Sequence, residues 1–436
     1  MIFKYDPRYS FFKPAVKTAM RLNFCKMVFV GKDEHVSKSK PIIFTPNHRN
    51  ALLDALLLVY ASYHSKQIVF LARADIFKKK FIAWLLEGIK IMPVYRIRDG
   101  RDNLDKNQEV FDNAAKILKK NNPIALFPEG RHNPKQSLLP IQKAAPRIVL
   151  PTEASNDFQL NSQIVPVGIY YRDISDFLTD VFVTFGEPIE VSKYRDIYYE
   201  SPNKATNQLR SELEYNLRSL VVNIWNDDFY DEYRDAIFLN GDRISIEKFS
   251  DKKDGYLQAS LYIVKKLDQL FEEDRATFDN KIKELTEAKQ ILTKYGLNVK
   301  DRIWKPLSLS QILLRSTLLV LSLPIALFGY INAIIPVLLN KKLLTLFEDK
   351  QFIPSIKLVS GLIFVPLFTI LQTIFLGVII HNWMLALVYF IIMPTTFYFA
   401  LYWRKWYRTL RRDIKVYKFK KEYQEKWQRL INMINI

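Results

Sequence analysis

A chain of 436 residues with a single cysteine has little scope for thiol chemistry. Cys25 alone can neither close a disulfide within the chain nor build a cysteine zinc cluster. It also lies outside the strand-end motifs described below, so a covalent intermediate on cysteine is not expected and a reducing compartment is. Histidines are scarce too: the five are scattered, with no HExxH pair and no Cys/His cluster, and no metal is expected. The start, MIFKYDPRYSFFKP, lacks the continuous apolar core of a secretory signal. Acidic residues are the minority, 45 against 64 lysines and arginines, which leaves a formal net charge of +19. That excess suits a polyanionic partner, either nucleic acid or an anionic membrane surface. No nucleic-acid motif is present, and the apolar C-terminal third selects the membrane.

Charge is nearly absent between residues 316 and 403, where three apolar segments (316–340, 358–380 and 383–403) each reach the roughly 20 residues that cross a bilayer. Three full crossings would carry the basic run RKWYRTLRRDIKVYKFKK to the outer face, against the positive-inside tendency. An even number removes the conflict. Pro324, Gly329, Asn332 and Pro336 are expected to break the first segment into a re-entrant shape. His381 and Asn382 are the whole link between the other two, as in a tight hairpin. The expectation is an integral membrane protein whose catalytic domain and C-terminus both face the cytoplasm.

Upstream, the texture changes. From about residue 40 to 192, short apolar runs (PIIFTPNH, QIVFLARA, IKIMPVY, PIALFPEG, QIVPVGIYY and VFVTFGEP) read as strands that end in turn or site residues. Between them, LDKNQEVFDNAAKILKK places Val110, Ala114, Ile117 and Leu118 at helical spacing. Strands and helices in alternation predict an α/β domain with a mostly parallel sheet flanked by helices. Residues 203–297 are helical throughout, with Leu257, Leu261, Val264, Leu267 and Phe271 on one face and Phe278, Ile282, Leu285 and Leu292 on another. The expected domains are a catalytic one (1–225) with an amphipathic N-terminal segment, a soluble all-α appendage (226–305), and a membrane region with a basic tail (306–436).

The sharpest local pattern is TPNHRNALLDALLL. His48 follows a strand end, and Asp54 stands on the apolar helix just beyond it. A carboxylate there can fix the imidazole's tautomer and stabilise the imidazolium that forms when it takes a proton, which makes a general base for a hydroxyl. The bland alternative is a helix start capped by Asn47 or Asn50, with His48 merely packed. PVYRIRDG sets Arg96 after another strand, and FPEGRHNP sets Glu129, Gly130, Arg131 and His132 after a third. Arginine offers a planar fork for phosphate, and a glycine turn lets backbone N–H groups approach an anion. The alternatives here are surface ion pairs, Arg96 with Asp99 among them.

Taken together and in this order, these blocks resemble the glycerol-phosphate and lysophosphatidate acyltransferases. The resemblance covers about residues 41 to 191: NHRNALLD is similar to the catalytic block, PVYR to the second, FPEG to the third and IVPVGIYYR, near Pro166, to the fourth. LLPIQKAAPRIVL, with Lys143 and Arg147, resembles the stretch between the last two. Two departures stand out. The family has four residues between His and Asp where this chain has five, and its third block continues Gly-Thr-Arg where this one reads Gly-Arg-His. The apolar segments after the domain resemble the glycerol-3-phosphate branch.

What the resemblance implies is a glycerolphosphate-acyltransferase-like fold and direct transfer of a fatty acyl group from a thioester, on acyl-CoA or acyl carrier protein, with no cofactor. His48 and Asp54 would be catalytic. Arg96, Arg131 and Lys143 would hold the substrate phosphate, while Glu129, Gly130 and His132 would form the acceptor loop. The first acceptor expected is 1-acyl-glycerol-3-phosphate, with glycerol-3-phosphate as the alternative and a non-catalytic lipid-binding module as a reading of another class. Membrane lipids are the expected partners, and nucleic acid is not. FFKPAVKTAMRLNFCKMVF and IFKKKFIAWLLEG, which mix lysines with aromatic residues, are expected to dock at the headgroup level.

Overall fold

The computed structural model describes residues 5–62, 66–77, 86–94, 105–174, 176, 178–346 and 353–436. The chain divides into two compact units, Met1–Asn223 and Ile224–Ile436, so the helical appendage and the apolar helices share one unit.

The first unit is built on strands β1 (Lys26–Val30), β2 (Ile42–Pro46), β3 (Val69–Arg73), β4 (Ile91–Val94), β5 (Ile124–Leu126), β6 (Gln163–Tyr171), β7 (Asp180–Phe185) and β8 (Ile189–Glu190). The sheet order is β1-β7-β6-β2-β5-β3-β4, with β8 paired to β6. The run from β6 to β4 is parallel throughout, while β7 and β8 lie antiparallel to β6. The mostly parallel sheet expected from the alternation is therefore present. Two of the strands described above were not foreseen, the short β8 and, at the edge, β1, which pairs in parallel with β7. KMVFV thus belongs to the sheet, and the N-terminal stretch is not a continuous interfacial segment. Only its first part, α1 (Pro7–Asn23), is helical, with Phe11 exposed and Tyr9 and Met20 buried. Residues 78–85 of the other docking segment lie outside the described residues.

Strands covered on both faces read as unbroken apolar runs, and IIF and IAL do so because helices lie on each side. On one face, α4 (Asp105–Lys119), α5 (Ala144–Ala154) and α7 (Pro202–Leu220) pack Ala114, Ile117, Ile148, Leu209 and Leu213 onto Ile43, Leu71 and Ile124. α6 (Arg195–Glu200) leads into α7, and α2 (Lys32–His35) lies between β1 and β2. Against the other face lies α3 (Ala51–Ala61), whose Leu53, Leu57 and Leu58 are buried to within 2% of full enclosure. Each such leucine contributes roughly 1.5–3 kcal/mol of burial. Leucines of this kind fix α3 as a rigid support, so whatever its first turn carries is held where β2 ends.

The second unit opens with α8 (Tyr230–Lys248), α9 (Gly255–Glu273) and α10 (Arg275–Lys294), a three-helix cluster closed by α15 (Gln424–Ile434). The apolar stripes expected of α9 and α10 face inward at Leu257, Val264, Leu267, Phe278, Leu285 and Leu292.

Among the described residues, three further helices are long and apolar enough to cross a membrane: α11 (Leu309–Asn332), α13 (Ile353–Ile380) and α14 (Trp383–Glu422). The expected break in the first segment falls between Asn332 and Pro336, and not at Pro324. α11 runs through it, as α13 and α14 run through Pro366 and Pro394. In an apolar helix, packing neighbours and side-chain hydroxyls compensate the bond a proline removes. The chain turns instead at Ala333 and continues as α12 (Ile334–Leu344). α11 packs antiparallel on α14: Trp403 donates from Nε1 to the Leu319 carbonyl at 3.0 Å, and Gly329 lies so close to Thr396 that an added Cβ would meet its carbonyl oxygen at 2.2 Å. The end of α11 is satisfied by side chains, since Gln372 donates to the Asn332 carbonyl at 2.8 Å and the Tyr389 hydroxyl to Asn332 Oδ1 at 3.0 Å. α12 then returns along α13, where Asn340 donates to Ser360 at 2.6 Å. His381, at φ 53°, and Asn382, whose side chain caps α14, make the tight link between α13 and α14.

Candidate active site

Parallel strands deliver their C-terminal ends to one edge of a sheet, and that is where α/β site residues collect. β2 and β5 are neighbours, so the segments that follow them, 47–50 and 127–133, meet at that edge.

His48 lies just past the end of β2, and its Nδ1 is 2.9 Å from Asp54 Oδ2. The five-residue interval is absorbed by helix capping. Asn50 occupies the N-cap position of α3 without any cap bond from its side chain. Asp54 supplies the cap from within the first turn: its Oδ2 accepts the backbone N–H of Arg49 at 2.8 Å and of Asn50 at 2.7 Å. A carboxylate at a helix N-terminus is favoured by the unpaired N–H groups and by the helix dipole. The same oxygen therefore caps the helix and holds the imidazole. Asn47 does not cap α3 either. Its side-chain amide extends the β2–β6 pairing, accepting from Ile169 N at 2.6 Å and donating to Ile169 O at 3.1 Å.

His48 is held on further sides. Its ring stacks on Phe127, with centroids 3.8 Å apart and an interplanar angle of 17°. Its backbone N–H donates to Glu129 Oε1 at 2.7 Å, and its carbonyl accepts from Asn133 N at 2.8 Å. With Nδ1 committed to Asp54, Nε2 is the nitrogen left for a substrate proton.

Glu129 is a joist rather than an open ligand. Its second oxygen accepts from Leu139 N at 2.9 Å, so the buried carboxylate ties the β2–α3 turn to the far end of the 130–140 loop. Burial pushes its pKa up, opposed by the backbone N–H groups of Leu139 and His48. Gly130, at φ 69°, makes the turn after Pro128 that an L side chain would strain. Arg49 completes the stitching by donating to the Pro134 carbonyl at 2.9 Å.

His132 stands with its ring 5.6 Å from that of His48 and nearly perpendicular to it. Arg131 is exposed on the same turn, and Lys143 is exposed at the start of α5, in the segment where Gln142 N donates to the Pro128 carbonyl. Arg96 lies outside the described residues, two positions beyond the end of β4. The site thus gathers His48, Asp54, Glu129, Gly130 and His132, with Arg131 and Lys143 on the segments that adjoin them. Sequence reading missed three members: Phe127 beneath the imidazole, Asn47 as a strand clamp, and Tyr171, whose hydroxyl donates to Asp54 Oδ1 at 2.6 Å. A tyrosine closing the fully buried strand β6 was the available signal, because a buried phenol needs a polar partner.

Replacing Glu129 by Gln puts an NH2 group against one of the two backbone donors. The expected cost is about 1–3 kcal/mol, read as a lower thermal unfolding midpoint in detergent, together with slower turnover as the His48 turn loosens. An unchanged midpoint and rate would show that the bridge carries no load.

The model of the Acyltransferase family matches residues 27–170. Glycerol-3-phosphate O-acyltransferase 2 of Saccharomyces cerevisiae is 30% identical over 147 residues, 34% of this chain and 19% of the relative. Glycerol-3-phosphate O-acyltransferase 1 of the same yeast is 31% identical over 116 residues, 26% of this chain and 15% of the relative. The chain thus matches less than a fifth of the length of either curated relative. Among solved structures, the 1-acyl-sn-glycerophosphate acyltransferase of Thermotoga maritima is similar at a TM-score of 0.32 and 19% identity, over 47% of this chain and 78% of the other. Residues 27–170, the part of the chain that matches the Acyltransferase family, contain both members of the His48–Asp54 pair.

Proposed function

We propose that this chain transfers a fatty acyl group from a thioester to a hydroxyl of a glycerol-phosphate acceptor at a membrane surface. The observation that carries this reading is the 2.9 Å contact between His48 and a buried Asp54 at the sheet edge, inside an acyltransferase domain. His48 Nε2 takes the proton of the acceptor hydroxyl as its oxygen bonds to the thioester carbonyl carbon. The tetrahedral intermediate collapses, the C–S bond breaks, and the departing thiolate receives the proton back from His48. Such a base supplies roughly 10²–10⁴ in rate. Asp54 holds the tautomer and offsets the imidazolium charge. Arg131 and Lys143, joined by Arg96, are the cations assigned to the acceptor phosphate, and His132 lines the approach beside His48.

Two acceptors fit this chemistry. Glycerol-3-phosphate is the first, a reading supported by the names of the yeast relatives. Its 1-acyl derivative is the second, put first by the sequence reading. Both acyl-CoA and acyl carrier protein present the required thioester. Purified chain in detergent, offered each acceptor with each donor, should form one acylated product by mass, and His48→Ala should lose it by at least a hundredfold. Formation at the parental rate in His48→Ala would assign the base elsewhere. No product from folded parent with any pair would overturn the enzymatic reading.

The packing of the second unit supports a topology in which α11 and α12 form a re-entrant pair and α13 and α14 a spanning hairpin. The α11–α12 pair then enters and returns on one face, so residue 309 and the basic stretch 404–421 both stay cytoplasmic, with the catalytic unit that precedes them. In a Cys25→Ser background, Met384→Cys should react with an impermeant thiol reagent from the outer face, and Thr345→Cys should not. The reverse pattern would contradict the arrangement.

A further inference from the structure

Asp54 is fully enclosed, and a carboxylate without water stays charged only if protein donors replace the water. Its two oxygens are served very unequally. Oδ2 accepts from three groups: His48 Nδ1, Arg49 N and Asn50 N. Oδ1 accepts from one, the hydroxyl of Tyr171, at 2.6 Å. Tyr171 is itself 1% exposed and lies on β6, two strands from the β1 edge. Its backbone is paired with Val181 of β7, and its ring packs near Phe24 at 6.0 Å between centroids. The phenol therefore reaches Asp54 from a rigid strand, independently of the α3 turn that supplies the other donors.

We propose that Tyr171 is a positioning residue of the acyl transfer, keeping Asp54 anionic and His48 in the tautomer whose Nε2 accepts the substrate proton. The inference rests on the acyltransferase reading given above. Without the phenol O–H, Oδ1 becomes a buried acceptor with no donor among the described residues. Asp54 still has the three donors to Oδ2, and its charge, no longer shared with the phenol, grips the imidazolium more tightly, so the variant's imidazole should take its proton at higher pH than the parent's. Among the described residues, the charged and titratable groups around the pair are Arg49, Glu129 and His132, besides Tyr171 itself. None of these is altered by deleting one hydroxyl. Burial, together with the Asp54 charge, raises the phenol's own pKa well above its usual value, so it remains a donor across the working pH range.

The test is Tyr171→Phe in the full chain, which keeps the ring. The rate of acyl transfer should fall on the order of tenfold in kcat with acceptor KM within about twofold. The acid limb of the kcat profile should move up by about one pH unit. Reaction of His48 with diethyl pyrocarbonate, followed by peptide mass against pH, gives the dyad's midpoint without any assay of transfer, and it should move up equally. A parental kcat with a parental midpoint would overturn the proposal. A slower variant with an unmoved midpoint would too, since lost packing alone does not shift a titration. Should Tyr171→Phe fail to fold, 3,5-difluorotyrosine placed at residue 171 keeps the shape and donates more strongly. The midpoint should then move down, and a midpoint that stays put would be equally decisive against the idea. Absence of transfer in the parent would remove the acyltransferase reading while the modification midpoints still judged the Tyr171–Asp54 link.

Discussion

The enclosed carboxylate of Asp54 is the constraint on which the catalytic unit turns. One side chain caps α3, orients His48 and receives the phenol of β6, so it ties a loop, a helix and a central strand together. An ion in that position costs several kcal/mol to dehydrate, and the cost is met only by donors held in place in advance. The leucines that bury α3 and the parallel pairing of β2 with β5 and β6 serve that end. The fold is therefore not a passive scaffold: without the charge, the turn after β2 would have no reason to take this shape.

The 127–140 loop meets the same centre from the other side. Phe127 stacks beneath the imidazole, Glu129 spans between two backbone N–H groups, and Gly130 supplies the left-handed turn that lets both happen. A glutamate in such a motif invites a role in binding substrate. Here both of its oxygens are already engaged inside the protein. Arg131 and Lys143, proposed to hold the phosphate, are instead on exposed ground, where a phosphate could displace water at modest cost.

Much of this was legible in the sequence, and the reasons are specific. The strands of the parallel sheet announced themselves because burial on both faces leaves unbroken apolar runs such as IIF and IAL. The site announced itself because NHRNALLD and FPEG sit at strand ends. β1 was hidden, since KMVFV at an edge carries the mixed polarity that also fits an interfacial helix. The helix break was located only to the stretch from Pro324 to Pro336, because sequence shows each lost hydrogen bond but not the neighbours that tolerate it at Pro324. The five-residue interval between His48 and Asp54 looked like a threat to the dyad. Only the geometry of the N-cap reveals that the extra residue lets one carboxylate do the work of cap and partner. Tyr171 escaped for a related reason: nothing local to IVPVGIYYR says which strand residue will face an aspartate more than a hundred positions earlier.

The most direct measurement of this account is the kinetics of Asp54→Asn in the full chain, with circular dichroism to confirm that α3 is retained. The amide keeps the shape but cannot serve all four donors, and it no longer holds the tautomer. The account predicts a kcat lower by on the order of 10³–10⁴, with acceptor KM little changed. A folded variant that transfers acyl groups at the parental rate would contradict it.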